Sequence, residues 1–452
     1  MKYIFAVLTG VAVILGGAVF FVSQIHPSKE FSAGASAISA TNPSASPTAS
    51  EKPIEERIKE AEEKSSNIKG VYMTAEVASD GGAAATRLRN SIIRLAETTE
   101  INGIVIDVKE VCGPEYNEER IKQLVNKLHA KHIWAIARIV TFKDSSEIYA
   151  HPEWYLKRAF PKAVPDQCGK KMYLREKGPD GLKTGTILWR DNKGGYWLDP
   201  ASEDVRNYVA NFGKKVIDLG FDELQFDYIR FPSDGDVDKA KFPVWDGKAP
   251  KFMVLKRFFA SLHDSLKQYK PDIILSADMF GYAAIRAGDV GIGQRLEDIG
   301  SSFDYVSFMV YPSHYYSGLN LPADVAHNLP SVNYNRNEVR VHPDVTVGRS
   351  LQVAQDFLDT LTVATSSATS SQIVMGGNSS EQSELDAKTK VKIRPWLEDF
   401  FHEADKAAGR PYGAQKVRLQ INAAERVGRH GWLLWNAANI YAQEALKGKG
   451  VE

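Results

Sequence analysis

The sequence predicts a (β/α)8 barrel, and three observations carry that prediction. Beyond Asn67 the chain repeats a short β-rich apolar run followed by a longer amphipathic stretch, the signature of parallel β/α units. Eight such runs can be placed. No GxGxxG follows the first of them, as a doubly wound nucleotide-binding sheet would require.

The runs fall at Gly70–Ala75, Gly103–Lys109, Ile133–Ile139, Glu223–Ile229, Ile273–Met279, Tyr305–Tyr311, Val391–Leu397 and Gly431–Asn436. Helices between them are marked by caps and periodicity. In Asp199-Pro200-Ala201-Ser202-Glu203-Asp204 an N-cap Asp, a proline at N1 and early acids precede Val205, Tyr208, Val209 and Phe212. Two connections are much longer than ordinary loops. Thr141–Leu198, after strand three, holds Trp154, Tyr155, Trp189, Tyr196 and Trp197 and is expected to cover the barrel mouth. Ser313–Thr389, after strand six, is expected to contain a helix near Arg349–Leu361 and a mobile Ser/Thr-rich stretch at Thr365–Ser371.

Before the barrel, Tyr3–Val22 carries no charge and matches the ~20 residues that cross a bilayer as a helix. Residues 3–22 are therefore read as an uncleaved anchor, with a cleaved signal peptide as the alternative. Lys2 keeps the N-terminus cytoplasmic and the barrel is exported. Residues 23–66 form a Ser/Ala/Pro-rich linker followed by a short charged helix, and 67–447 form the barrel. The 452 residues carry 56 Lys plus Arg and 56 Asp plus Glu, so no basic field points to nucleic acid.

Active sites of such barrels lie where strands end, and here those ends are acidic. Alternation puts Asp107 and Lys109 on one side of strand two. Arg138 ends strand three, and Gln225 and Asp227 share the lumen face of strand four, with Phe226 and Tyr228 towards the helices. Asp278 ends strand five, Tyr311 and His314 strand six, and Trp396 lies on strand seven with Asp399 just beyond. Each charge taken alone reads equally as half of a buried ion pair, for example Asp107 with Lys109 or Asp227 with Arg138. Several acids converging at one end raise one another's pKa, which favours a functional reading. Two carboxyls facing a sugar ring are what glycosidic cleavage needs.

The run Gln225-Phe226-Asp227-Tyr228-Ile229-Arg230-Phe231-Pro232, with Leu198-Asp199-Pro200 upstream and Ile393-Arg394-Pro395-Trp396-Leu397 downstream, resembles the glycoside hydrolase domain family DUF4015 from about Gly70 to Tyr441. That family is related to amylase-like and galactosidase-like barrels. The resemblance implies that Asp227, at the end of strand four, is the nucleophile. Amylase-like enzymes have an arginine two residues before the nucleophile and a glutamate ending strand five, where this sequence has Gln225 and Asp278.

The expected function is therefore retaining hydrolysis of an envelope or extracellular polysaccharide. Asp227 is the nucleophile, Asp278 the acid/base and Asp399 the reserve acid, while Asp107, Lys109, Arg138, Arg230, Tyr311, His314 and Trp396 contact sugar. No cofactor or metal is expected, since no HExxH occurs and the first strand has no His-x-His. A surface lectin-like barrel is the binding-class alternative. A Schiff-base lyase using Lys109 is the other, opposed by the neighbouring Asp107. The two cysteines, Cys112 and Cys168, leave neighbouring strands on the same face and are expected to pair, with two free thiols as the alternative.

Overall fold

A computed structural model describes residues 52–158, 165–169, 187–286, 288–372, 391–400 and 412–450. The expected span at 3–22 and most of the linker lie outside these. Among the described residues no helix is long and apolar enough to cross a membrane.

Eight parallel strands close into a barrel: β1 (Ile68–Met73), β2 (Gly103–Lys109), β3 (Trp134–Val140), β4 (Glu223–Asp227), β5 (Ile274–Phe280), β6 (Tyr305–Met309), β7 (Lys392–Ile393, resuming at Trp396–Glu398) and β8 (Gly431–Trp435). Each pairs with its neighbours in order, and β8 returns to β1 through Ile68↔Gly431 to Val71↔Leu434. Pro395 interrupts β7, because proline gives the ladder no N–H donor. At the closure Gly431 adopts φ +85°, and a Cβ there would lie 1.9 Å from the Ile68 carbonyl oxygen.

Side chains alternate along the strands, with one break on β2. Val71, Ile104, Ile106, Ala137 and Phe226 pack outward under the helices, while Tyr72, Val105, Trp134, Ile136, Ile274, Tyr305 and Leu433 fill the lumen. The major helices of the outer layer are α2 (Ala83–Thr98), α3 (Glu118–His129), α4 (Glu203–Ile217), α5 (Lys251–Tyr269), α6 (Pro343–Gln372) and α7 (Ala414–Val427), and α1 (Ile54–Ser65) precedes the barrel. Helix α6 is much longer than the expected 349–361 and takes in the Ser/Thr stretch at 365–371, expected to be mobile.

Helix α4 begins later than the sequence suggests. Its cap is Ser202, whose Oγ accepts from the Val205 amide at 3.4 Å. Asp199 is not the cap; it ties down the loop after β4, accepting from the amides of Val244 at 2.7 Å and Trp245 at 2.9 Å.

The N-terminal end of the barrel is closed by α1. Its last residue, the fully buried Ser65, offers its carbonyl to Tyr305 Oη at 2.9 Å and to Arg394 Nη2 at 2.8 Å. Arg394 in turn donates from Nη1 to both oxygens of Glu223, at 2.9 and 2.8 Å, and Glu223 also accepts from Ser276 and the Trp134 indole. This buried pair is fully hydrogen-bonded, which is what an ion pair needs to survive away from water. It also accounts for Arg394 in the motif on β7.

A carboxylate cleft at the strand ends

At the opposite end the strands open into a cleft of about 530 Å³ whose floor carries Arg138, Asp227, Asp278 and Trp396. The β4–β5 register pairs Gln225 with Ser276 and Phe226 with Ala277, so one step further Asp227 and Asp278 stand on adjacent strands. Neighbouring strands lie about 4.8 Å apart. The two acids therefore share one site.

Arg138 organises them. Its guanidinium donates from Nη1 to Asp107 Oδ1 at 2.6 Å and from Nη2 to Asp227 Oδ2, and its Nε lies 4.0 Å from Asp278 Oδ2. That last distance is too long for a hydrogen bond, so Nε is buried without a protein acceptor. The second oxygen of Asp227 accepts the Tyr228 amide at 2.6 Å, and β4 ends there because Tyr228 turns to φ +49°. Positive φ in a bulky residue is costly and gathers at functional sites. The turn also brings Tyr228 to the cleft wall, where alternation had assigned it to the helices.

Asp278 is in a different state. Burial, and then the charge of Asp227, hold its carboxyl well above the usual carboxylate range, against the opposing pull of Arg138 and the Trp396 hydrogen bond. Trp396 Nε1 donates to Asp278 Oδ1 at 2.9 Å. Being only 1% exposed, Trp396 positions this acid and offers no face for a sugar to stack on, contrary to expectation. Aromatic surfaces accessible from the cleft include Trp435 and the 60%-exposed Tyr316. Arg230, Tyr311 and His314 also line it.

Two expected contacts, Lys109 and Asp107, and the expected reserve acid, Asp399, lie elsewhere. Lys109 does not share the lumen with Asp107, because a register shift between them breaks the alternation. Its Nζ binds Asp144 at 2.7 Å and the Val140 carbonyl at 2.9 Å, 4.9 Å from the Tyr208 ring centroid on α4. That closed environment also removes the basis for a Schiff-base reading. Asp399 does not line the cleft; it accepts the Ala442 amide at 2.9 Å, and burial pushes its carboxyl up to about 7. Asp107 is fully buried beneath the floor, where Tyr72 and Arg138 donate to it.

Several contributors went unread in the sequence. Tyr72 on β1 and Glu110 after β2 both address Asp107. Much of the Glu110 side chain is exposed, but its carboxyl is pushed up to about 7 by desolvation and by the Asp107 charge. Glu398, fully buried, accepts the Ser313 amide at 2.9 Å and so anchors the segment bearing Tyr311 and His314. It sits one step before Asp399, and period-two alternation from Trp396 was the signal for it.

The described parts of the insertion after β3 fold onto the cleft, as expected. Trp197 donates to Asp191 at 3.0 Å, Lys143 binds Asp191 at 2.8 Å, and Asp191 and Lys193 join the wall. Cys168 of this insertion forms a disulfide with Cys112 beyond β2, with 5.4 Å between the Cα atoms.

The profile of DUF4015, "Putative glycosyl hydrolase domain", matches residues 70–441. Similar solved structures include a hypothetical protein from Ruminiclostridium thermocellum (26% identity, 46% of this chain and 96% of that one, TM-score 0.34). An α-galactosidase from Thermus thermophilus is also similar (13%, 84% and 63%, TM-score 0.41), as is Amy13B from Eubacterium rectale (13%, 82% and 66%, TM-score 0.42). The chain thus spans under two thirds of the length of the last two. No curated protein matches the sequence.

Proposed function

The chain belongs to the DUF4015 family of glycosyl hydrolase domains, and from that premise we propose that it cleaves glycosidic bonds with retention, Asp227 attacking the anomeric carbon and Asp278 serving as acid, then base. The observation that carries the reading is the contrast between two adjacent carboxyls. Asp227 is held by Arg138 and the Tyr228 amide, interactions that favour a carboxylate. Burial and the Asp227 charge favour the protonated form of Asp278. Two neighbouring acids in surroundings this different suit the roles of ionised nucleophile and protonated acid. Protonating the leaving oxygen transfers the Asp278 proton as the Asp227 carboxylate bonds to the sugar. In the second half the Asp278 carboxylate takes a proton from water, whose oxygen displaces Asp227.

The test is hydrolysis of a glycan panel by wild type, Asp227→Asn and Asp278→Asn, with the product anomer followed by NMR. Each substitution should cost about 10²–10⁴-fold or more in rate, and the first-formed product should keep the substrate's configuration. Inversion would mean separating the carboxyls by about 6.5–9.5 Å and would reassign Asp227 as a base. A lectin-like cleft is favoured by one observation, that both Asp227 oxygens already accept hydrogen bonds; glycan binding without turnover would establish it.

The substrate belongs to the extracellular side of a membrane in this reading. The uncharged Tyr3–Val22 run supports a tether, and a disulfide suits an oxidising compartment. Protease accessibility of the barrel on intact cells tests the location.

A further inference from the structure

Most cations buried in and around this barrel are paired with acids; Arg349 instead donates to the carbonyls of Pro330 and Pro322, away from the cleft, and at the cleft itself one cation has no paired acid. Lys109 faces Asp144 at 2.7 Å, Lys143 faces Asp191 at 2.8 Å, Arg394 faces Glu223 at 2.8 Å, and Arg138 holds Asp107 and Asp227. Arg230 is as deeply buried, at 5% exposure, yet among the described residues no carboxylate lies within ion-pair distance of it. Its guanidinium sits among three rings, 4.4 Å from the Phe280 centroid, 5.0 Å from Trp197 and 5.2 Å from Tyr228. Its one hydrogen bond is to the carbonyl of Phe231, at 2.9 Å. Rings attract a cation but do not satisfy the donors of a planar fork, which matches a carboxylate, sulfate or phosphate.

The position matters as much as the partners. Arg230 lines the same cleft as Asp227 and Asp278, and Lys193, exposed on the inserted segment, lines it too. Three carboxylates act on it from beyond ion-pair distance, Asp227 first, then Asp234 and Asp191; of these Asp234 stands at the exposed rim of the cleft, where it accepts the Asn192 amide at 2.9 Å. Leaving a buried charge without a directly hydrogen-bonded counter-ion is expensive, whereas a ligand's acid group would supply one in a partly dehydrated site.

We propose that Arg230, assisted by Lys193, is an anion-recognition subsite, and that the cleft selects glycans carrying an acidic group, a uronate foremost. The proposal rests on the carbohydrate reading of the cleft but not on turnover. The acid group docks in the fork of Arg230, which fixes the ring against the carboxyls on β4 and β5. Asp234 opposes the same ligand by like-charge repulsion and sets the affinity at the rim.

The experiment uses the full-length chain and a panel of uronate-containing oligosaccharides, each paired with its carboxyl-reduced, neutral counterpart. Binding is measured at two salt concentrations by calorimetry and hydrolysis in parallel. Wild type should bind at least one acidic member about tenfold or more tighter than its reduced form, with a preference that shrinks in salt. Arg230→Gln should abolish the preference, Lys193→Ala should reduce it, and Asp234→Asn should widen the preference for acidic over neutral glycans. The last two positions are exposed, so their effects do not depend on a fragile core. Equal binding of acidic and reduced forms, no binding of any acidic member, or an undiminished preference in Arg230→Gln that folds as wild type would each overturn the proposal. Acid-selective binding without hydrolysis would leave it standing and remove only the catalytic reading.

Discussion

Asp278 and Asp399 both have raised carboxyls, yet only Asp278 belongs to the cleft, and pH separates them. Infrared spectra at pH 8, above the value of about 7 reached by Asp399 and Glu110, should show a protonated carboxyl stretch that Asp278→Asn removes. Its absence from wild type would end the acid assignment. For Asp399 the consequence is stability. Its carboxyl titrates near 3.9 when unfolded and about 7 when folded, so between those values the native state binds more protons. Stability is then lost as pH rises through the window, by at most about 4 kcal/mol. Asp399→Asn should flatten that part of the melting profile, since an amide oxygen still accepts from Ala442, and should leave glycan hydrolysis unaffected. At this scale the sequence was readable where alternation held. Asp107, Arg138, Asp227 and Asp278 follow from the period of two, whereas Lys109 escaped because a bulge leaves no mark in residue type. The partner of Lys109, Asp144, lies in a loop that no periodicity describes.

Elements were easier to read than their ends, because apolar runs report burial while ends depend on single hydrogen bonds. β4 was expected to run to Ile229, but it stops at Asp227, where the Tyr228 turn aims the carboxylate. Helix α4 was expected to start from Asp199, a good capping residue, but Ser202 takes that role because Asp199 is engaged by the loop at 244–245. The disulfide is the element-scale feature with the largest expected effect. It joins the segment after β2 to the insertion after β3 across 56 residues, a closure worth ~4 kcal/mol in the chain-entropy model. Cys112→Ser with Cys168→Ser should lower the melting temperature by several degrees. Because Asp191 and Lys193 are on the same insertion, the double variant should also raise KM more than it lowers kcat. A loss confined to kcat would detach the bridge from the cleft wall.

Across the whole molecule the barrel's two ends divide the work, and both depend on buried arginine. At the cleft, Arg138 binds Asp107 and Asp227; at the far end, Arg394 joins Glu223 on β4 to the terminal carbonyl of α1. The second arrangement has no access to substrate, so it should govern stability alone. Removing residues 52–66 from the 52–452 chain would take away the Ser65 carbonyl that Arg394 and Tyr305 both use and open the fully buried Glu223–Arg394 pair to water. Two lost hydrogen bonds, one to a charged donor, amount to about 2–4 kcal/mol. Arg394→Met should cost more, about 3–5 kcal/mol, because it strands Glu223 as an unpaired buried charge. In both variants kcat/KM on any cleaved glycan should stay within a few-fold of wild type below the melting transition. Denaturant unfolding monitored alongside activity checks this, and a fall in kcat/KM at full folding would show that the two ends are coupled through the lumen.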